Sequence, residues 1–118
     1  MRRTWMLAGV LSLGLVTSAW AVKLRWDPPA TGEPIGYTVY RGIALGQPCN
    51  AAFSPTMLLL DTTSVSVTTY TDPNPVVGAN YFEITAFNSE GESLPSNRVC
   101  FQRQGAKTSQ PLNLRFEP

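Results

Sequence analysis

From Val22 onward, apolar residues recur at every second position in short runs broken by proline and glycine. A period of two places alternate side chains on opposite faces of a strand. In "VKLRW" (22–26), Leu24 and Trp26 share one face, and Lys23 and Arg25 the other. In "IGYTVYRG" (35–42), Tyr37 and Val39 oppose Thr38 and Tyr40. "TMLLLDT" (56–62) reads as an edge strand. "SVSVTTYTD" (64–72) reads as one more strand, but Val65 and Val67 oppose Tyr70, which predicts a bulge or bend between them. In "NYFEITAFN" (80–88), Phe82, Ile84 and Ala86 line one face, and Tyr81, Glu83, Thr85 and Phe87 the other. "SEGESLP" (89–95) is a polar loop with turn residues, and "SNRVCF" (96–101) is the returning strand.

No stretch after Val22 sustains a helical period. The elements predict an all-β chain, a two-sheet sandwich of about seven short strands separated by turn signals. One core serves a chain of this size.

The N-terminus has a different pattern. Arg2 and Arg3 precede an uncharged apolar stretch that ends at Ala19-Trp20-Ala21. A basic n-region, an apolar h-region and a small-x-small site make residues 1–21 a signal peptide by expectation; a retained membrane anchor is the alternative. Cleavage would leave 22–102 as the domain and 103–118 as a linker and C-terminal segment. It would also place the protein in the periplasm or the medium, with no membrane contact. Removing two of the nine basic residues leaves seven against eight acidic ones. A near-neutral chain without a basic stripe argues against nucleic acid, whose phosphates require clustered Lys and Arg. Cys49 and Cys100 are the two cysteines. An even count in a small exported chain points to a disulfide, with two unpaired buried thiols as the alternative.

These residues resemble a fibronectin type III domain of the bacterial secreted type. "LRWDPP" (24–29) is similar to the second strand with its core tryptophan, "IGYTVYRG" to the third, "YTDPNPVVG" (70–78) to the turn into the sixth, and "YFEITAFNSEGESLPSN" (81–97) to the sixth strand, tip loop and start of the seventh. The likeness spans roughly 22–101. It implies an immunoglobulin-like sandwich with Trp26 central in a core of Leu24, Tyr37, Val39, Phe82, Ile84 and Ala86. It also implies that Cys49 lies near Cys100 at one pole. The chain departs from the pattern in three places. Asn80 stands where the family usually carries the tyrosine of a tyrosine corner, the connection around Cys49 is long, and the first strand is missing. "QPLNLRF" (110–116) resembles that first strand, so the expectation is that it relocates to the C-terminus and docks beside "VKLRW", with exchange between chains and a free tail as the alternatives.

Candidate chemistry is sparse. The chain contains no histidine, so the usual general base and commonest metal ligand are both missing. Its eight carboxylates are scattered over turns and exposed faces. A glycosidase pair, or calcium at Asp72 and Asn74, would need a cluster that the sequence does not show. The expectation is a non-catalytic module with no cofactor and no metal, a monomer that binds a protein or a surface glycan. A structural subunit that exchanges strands and an accessory carbohydrate-binding domain are the alternatives. Candidate binding residues are the aromatic face of Tyr40, Tyr81 and Phe87, and the loop Glu90, Gly91 and Glu92. Ordinary cross-strand pairing would equally explain the aromatics.

Overall fold

The computed structural model describes residues 20–105 and 110–117. Its strands are β1 (Val22–Arg25), β2 (Gly36–Leu45), β3 (Leu58–Ser64), β4 (Thr69–Asp72), β5 (Gly78–Asn88), β6 (Gly91–Glu92) and β7 (Val99–Arg103), with no helix among the described residues. Strands β1 and β4 form one sheet. The other runs β3–β2–β5, with β6 and β7 both paired to the far edge of β5. Every pairing is antiparallel. The expected seven-strand, two-sheet sandwich is the observed architecture. The expected signal peptide lies outside the described residues except for Trp20 and Ala21.

The register of β2 on β5 sets the two faces. Tyr37, Val39 and Arg41 lie opposite Ala86, Ile84 and Phe82. These side chains face the small sheet, and Arg41 reaches across to Asp72 of β4 at 2.9 Å. Tyr37, Val39 and Phe82 are fully buried, whereas Leu24, Trp26, Ile84 and Ala86 are only half-buried. Trp26 meets the edge of Tyr37 with ring centroids 5.5 Å apart, but it does not occupy the centre of the core as expected. The reason is geometric: a two-stranded sheet is too narrow to cover the larger one, so its outer strand β1 borders an open seam.

Three expected elements are corrected. The strand 64–72 is two strands, because Val67 N–H bonds to Ser64 C=O and turns the chain between β3 and β4. The parity break between Val67 and Tyr70 marks that turn; the register shift within the ladder lies instead between Val39 and Tyr40. The hairpin tip is shorter than expected. Asn88 pairs with Gly91, leaving a two-residue loop. Residues 93–98 then leave the ladder. Ser93 and Ser96 stand in for it: their backbone N–H groups bond to Ala86 and Ile84 C=O, and their hydroxyls accept from Ala86 and Ile84 N–H. Serine hydroxyls thereby satisfy a strand edge that Pro95 could not.

The C-terminal strand is also corrected. Residues 110–117 form no strand, and Leu112, Leu114 and Phe116 are 76%, 101% and 100% exposed. Asn113 has φ of 57°, which breaks the extended run at its middle. Period-two alternation describes how a segment would pair, but it supplies no partner.

Candidate functional site

The outward face of the large sheet carries Thr38, Tyr40 and Gly42 of β2 opposite Thr85, Glu83 and Tyr81 of β5, with Phe87 beyond. Parity does place Tyr40, Tyr81 and Phe87 on one face. The structure nevertheless removes Tyr81 from any binding surface, since it is only 1% exposed. The long connection 46–57 folds over it. The Tyr81 hydroxyl accepts from Asn50 N–H at 2.9 Å and donates to Asn50 C=O at 3.2 Å. Phe53 packs on the ring at 5.8 Å, and the Arg98 guanidinium lies 5.0 Å from its centroid. Arg98 also donates to Ala51 C=O, and Gln102 accepts from Cys49 N–H. The Cys49–Cys100 disulfide, with its Cα atoms 6.0 Å apart, pins this flap to β7. The expected pairing is therefore the observed one.

The start of the flap needs glycine. Gly78 has φ of 114°, and a Cβ there would meet Gly46 N at 2.4 Å and Ala44 O at 2.5 Å. Only a residue without a side chain permits β5 to begin this close to the end of β2.

At the opposite pole the remaining candidates converge. The Tyr40 hydroxyl donates to Glu92 Oε2 at 2.5 Å, and the Thr85 hydroxyl donates to the same oxygen. The two donors, Thr85 first, hold the Glu92 carboxyl below its usual range. The bond to Glu92 in turn raises the Tyr40 phenol above its usual value. The Phe87 ring covers Gly36, where a Cβ would come within 2.6 Å of it. The Asn88 amide donates to Gly32 C=O at 2.9 Å and ties the 27–35 loop to the hairpin tip. Between them is a cleft of about 270 Å³ lined by Pro29, Pro34, Phe87, Glu90 and Glu92. Neither loop contains a lysine or arginine, while Asp27, Glu33, Glu90 and Glu92 all belong to this pole. Glu90, Gly91 and Glu92 are exposed, as a recognition loop requires. Two hydroxyl groups thus hold the Glu92 carboxylate in place on this face.

Asp72 is buried, with its carboxylate bonded to Arg41 and to Asn74 N–H. Its oxygens thus serve the turn and the inter-sheet tie. The sequence reading missed Asn80 as a structural residue. It is fully buried: its Oδ1 accepts from Val76 N–H, and its Nδ2 donates to Val76, Gly78 and Phe101 C=O. The available signal was an amide in "NYFEI" at a parity position that calls for an apolar side chain. With these bonds Asn80 ties the 76–78 turn to β7.

The strands and their pairing define an all-β, two-sheet sandwich with an immunoglobulin-like or fibronectin type III-like fold. A solved structure from C. elegans, the twitchin kinase region (Fn31-NL-kin-CRD-Ig26), is similar to this chain with a TM-score of 0.58 and 23% identity over 80% of it. The chain spans 16% of that protein's length, and the likeness concerns the fold. No family model and no curated protein matches the sequence.

Proposed function

We propose that this chain is a non-catalytic interaction module exported to the periplasm or the medium, and that it binds a protein partner through the pole where the 27–35 loop meets the β5–β6 turn. The observation that carries this reading is the Asn88–Gly32 tie, which holds a cleft with an apolar floor and an acidic rim on a disulfide-pinned sandwich. Loops braced by a rigid scaffold are common recognition surfaces. The partner chemistry follows from the rim: a segment with basic side chains flanking a small apolar anchor. Protein is favoured over glycan because Phe87 packs on Gly36 rather than standing out as a sugar platform. Export accords with the leader-like N-terminus and with the disulfide, which persists in oxidising compartments. The lack of histidine supports a role without catalysis.

The experiment is affinity capture from the producing organism's envelope and medium, with wild type beside a Glu33→Lys/Glu90→Lys variant. The reading requires a partner that is retained by wild type, lost by the variant and released by salt. Capture unchanged by the double charge reversal rejects the pole. Retention on polysaccharide beads instead of a protein rejects the partner class.

A further inference from the structure

Among the described residues, the β1 edge of the small sheet pairs with nothing beyond β4. Trp26 N–H donates to Thr68 C=O at 3.1 Å, and Leu24 lies opposite Tyr70 two residues earlier. In an antiparallel ladder the bonding direction alternates along the strand. The backbone groups of Val22, Leu24 and Trp26 therefore face β4, and those of Lys23 and Arg25 point to the open side. Such an edge is a template for another strand.

Beside that edge runs a groove. A hollow of about 340 Å³ between β1 and β7 is lined by Leu24, Trp26, Phe82, Ile84 and Val99 among others. A second, of about 170 Å³, is lined by Trp26, Tyr37, Ile84, Ala86 and Leu94 among others. Trp26 and Tyr37 line it, and Trp26 Nε1 and the Tyr37 hydroxyl are buried without a hydrogen-bond partner among the described residues. Unpaired buried polar groups are uncommon and call for an explanation. Half-buried core residues, an unpaired backbone edge and two orphaned polar atoms all occur along this one seam.

The chain also carries a segment of matching chemistry. Leu112, Leu114 and Phe116 recur at every second residue and are almost wholly exposed. In an extended conformation they would lie on one face, with Asn113 and Arg115 on the other. The direction of the chain decides whose groove they enter. Arg103, at the end of β7, pairs with Gly78 and stacks over Trp20, just before β1. The end of β7 and the start of β1 thus share a pole. A strand antiparallel to β1 must start at the other pole, near Trp26. Within one chain residues 104–110 would have to run the length of the sandwich nearly fully extended. A neighbouring chain has no such limit.

We propose that the β1 edge and its groove accept residues 111–116 of a second copy of this chain, each copy giving its tail to the other. The exchange is reciprocal, so it closes as a symmetric dimer rather than growing as a fibre. Each donated strand adds to β1 by strand augmentation: main-chain bonds to Lys23 and Arg25 supply the pairing, and the three apolar side chains fill the seam. The groove adjoins the acidic pole at Asp27 and Pro29, but the β1 edge and the tail lie apart from Glu90 and Glu92, and the test below does not depend on the partner-binding reading.

Sedimentation velocity over a broad concentration range tests it, with wild type beside Leu114→Asp. Leu114 is fully exposed in the single chain, so the substitution leaves the domain's own packing intact. Wild type should dimerise reversibly. The variant should raise the dimer dissociation constant by about two orders of magnitude, the effect of forcing a charge into an apolar groove. A synthetic peptide of residues 110–117, added to the Leu114→Asp protein, should bind and shift tryptophan emission as Trp26 is covered, and the same peptide carrying the Asp should not. A wild type that stays monomeric at every concentration overturns the proposal. So does a dimer indifferent to Leu114→Asp, or a variant groove that ignores the wild-type peptide.

Discussion

Tyr81 and Asn50 are joined twice: the phenol oxygen accepts from Asn50 N–H and donates to Asn50 C=O. That pair closes the 46–57 flap over the sheet, and it turns a residue of the outward face into a core residue. Tyr81→Phe removes both bonds but keeps the ring. Asn50 is exposed and water replaces its lost partner, so the expected loss is about 1 kcal/mol in urea unfolding. Tyr81→Ala also empties the cavity beneath Phe53 and should lose about 3–5 kcal/mol.

Cys49 and Cys100 are 51 residues apart in sequence. Replacing both with serine should lower stability by about 2–5 kcal/mol. Amide exchange in the flap should accelerate more than in β2 or β5, because the flap loses its covalent anchor while the ladder remains. Uniform acceleration across all strands would show that the disulfide holds the whole sandwich and not the flap alone.

Asn80→Leu keeps the branched heavy-atom skeleton of asparagine, with bulkier methyl ends, but leaves Val76 N–H unbonded and removes three donated bonds. A buried donor or acceptor left unsatisfied costs about 1–3 kcal/mol, so the variant should lose at least about 2 kcal/mol despite its greater hydrophobicity. Thermal unfolding checks this. A stabilised variant would mean that the amide network contributes less than apolar contact at that position.

Arg41→Ala strands the Asp72 carboxylate between the sheets. The arginine is partly exposed, so solvent relieves some of the loss, and about 2–3 kcal/mol of destabilisation is expected. Arg41→Ala combined with Asp72→Asn should recover part of it, because the stranded charge is gone. A double-mutant cycle measures that coupling.

The Glu92 group sets a pH dependence with a definite sign. Its folded pKa lies below the usual 4.5, so its contribution is present above that value and is lost as pH falls through the lowered pKa. The Tyr40 phenol is raised above 10.0, so its contribution is present below 10.0 and is lost as pH rises through the raised value. Both groups are near the surface, and solvent keeps the two effects small. Glu92→Gln should flatten the decline of melting temperature on the acid side and should lower the Tyr40 pKa measured by ultraviolet titration. A Tyr40 titration that does not move would separate the two residues in solution.

Local pattern was enough to place most strands. Period-two runs located β1, β2 and β5, because the alternation of buried and exposed faces is written directly into residues such as Tyr37, Val39 and Phe82, and the apolar run 56–62 located β3. Two cysteines in a small chain with an expected leader were enough to expect their bond. Parity also placed Tyr40, Tyr81 and Phe87 on a common face. It could not say what else would cover that face, because burial depends on distant segments. The flap that buries Tyr81 comes from a stretch without periodicity, and Asn80 is satisfied by Val76, Gly78 and Phe101, a set that no local window contains. The same limit applies at the C-terminus. The sequence alone determined that Leu112, Leu114 and Phe116 alternate, but only the tertiary structure decided that they stand exposed, with no strand partner among the described residues. The end of β7 lies at the wrong pole for an antiparallel return to β1, and chain direction is a property of the whole fold.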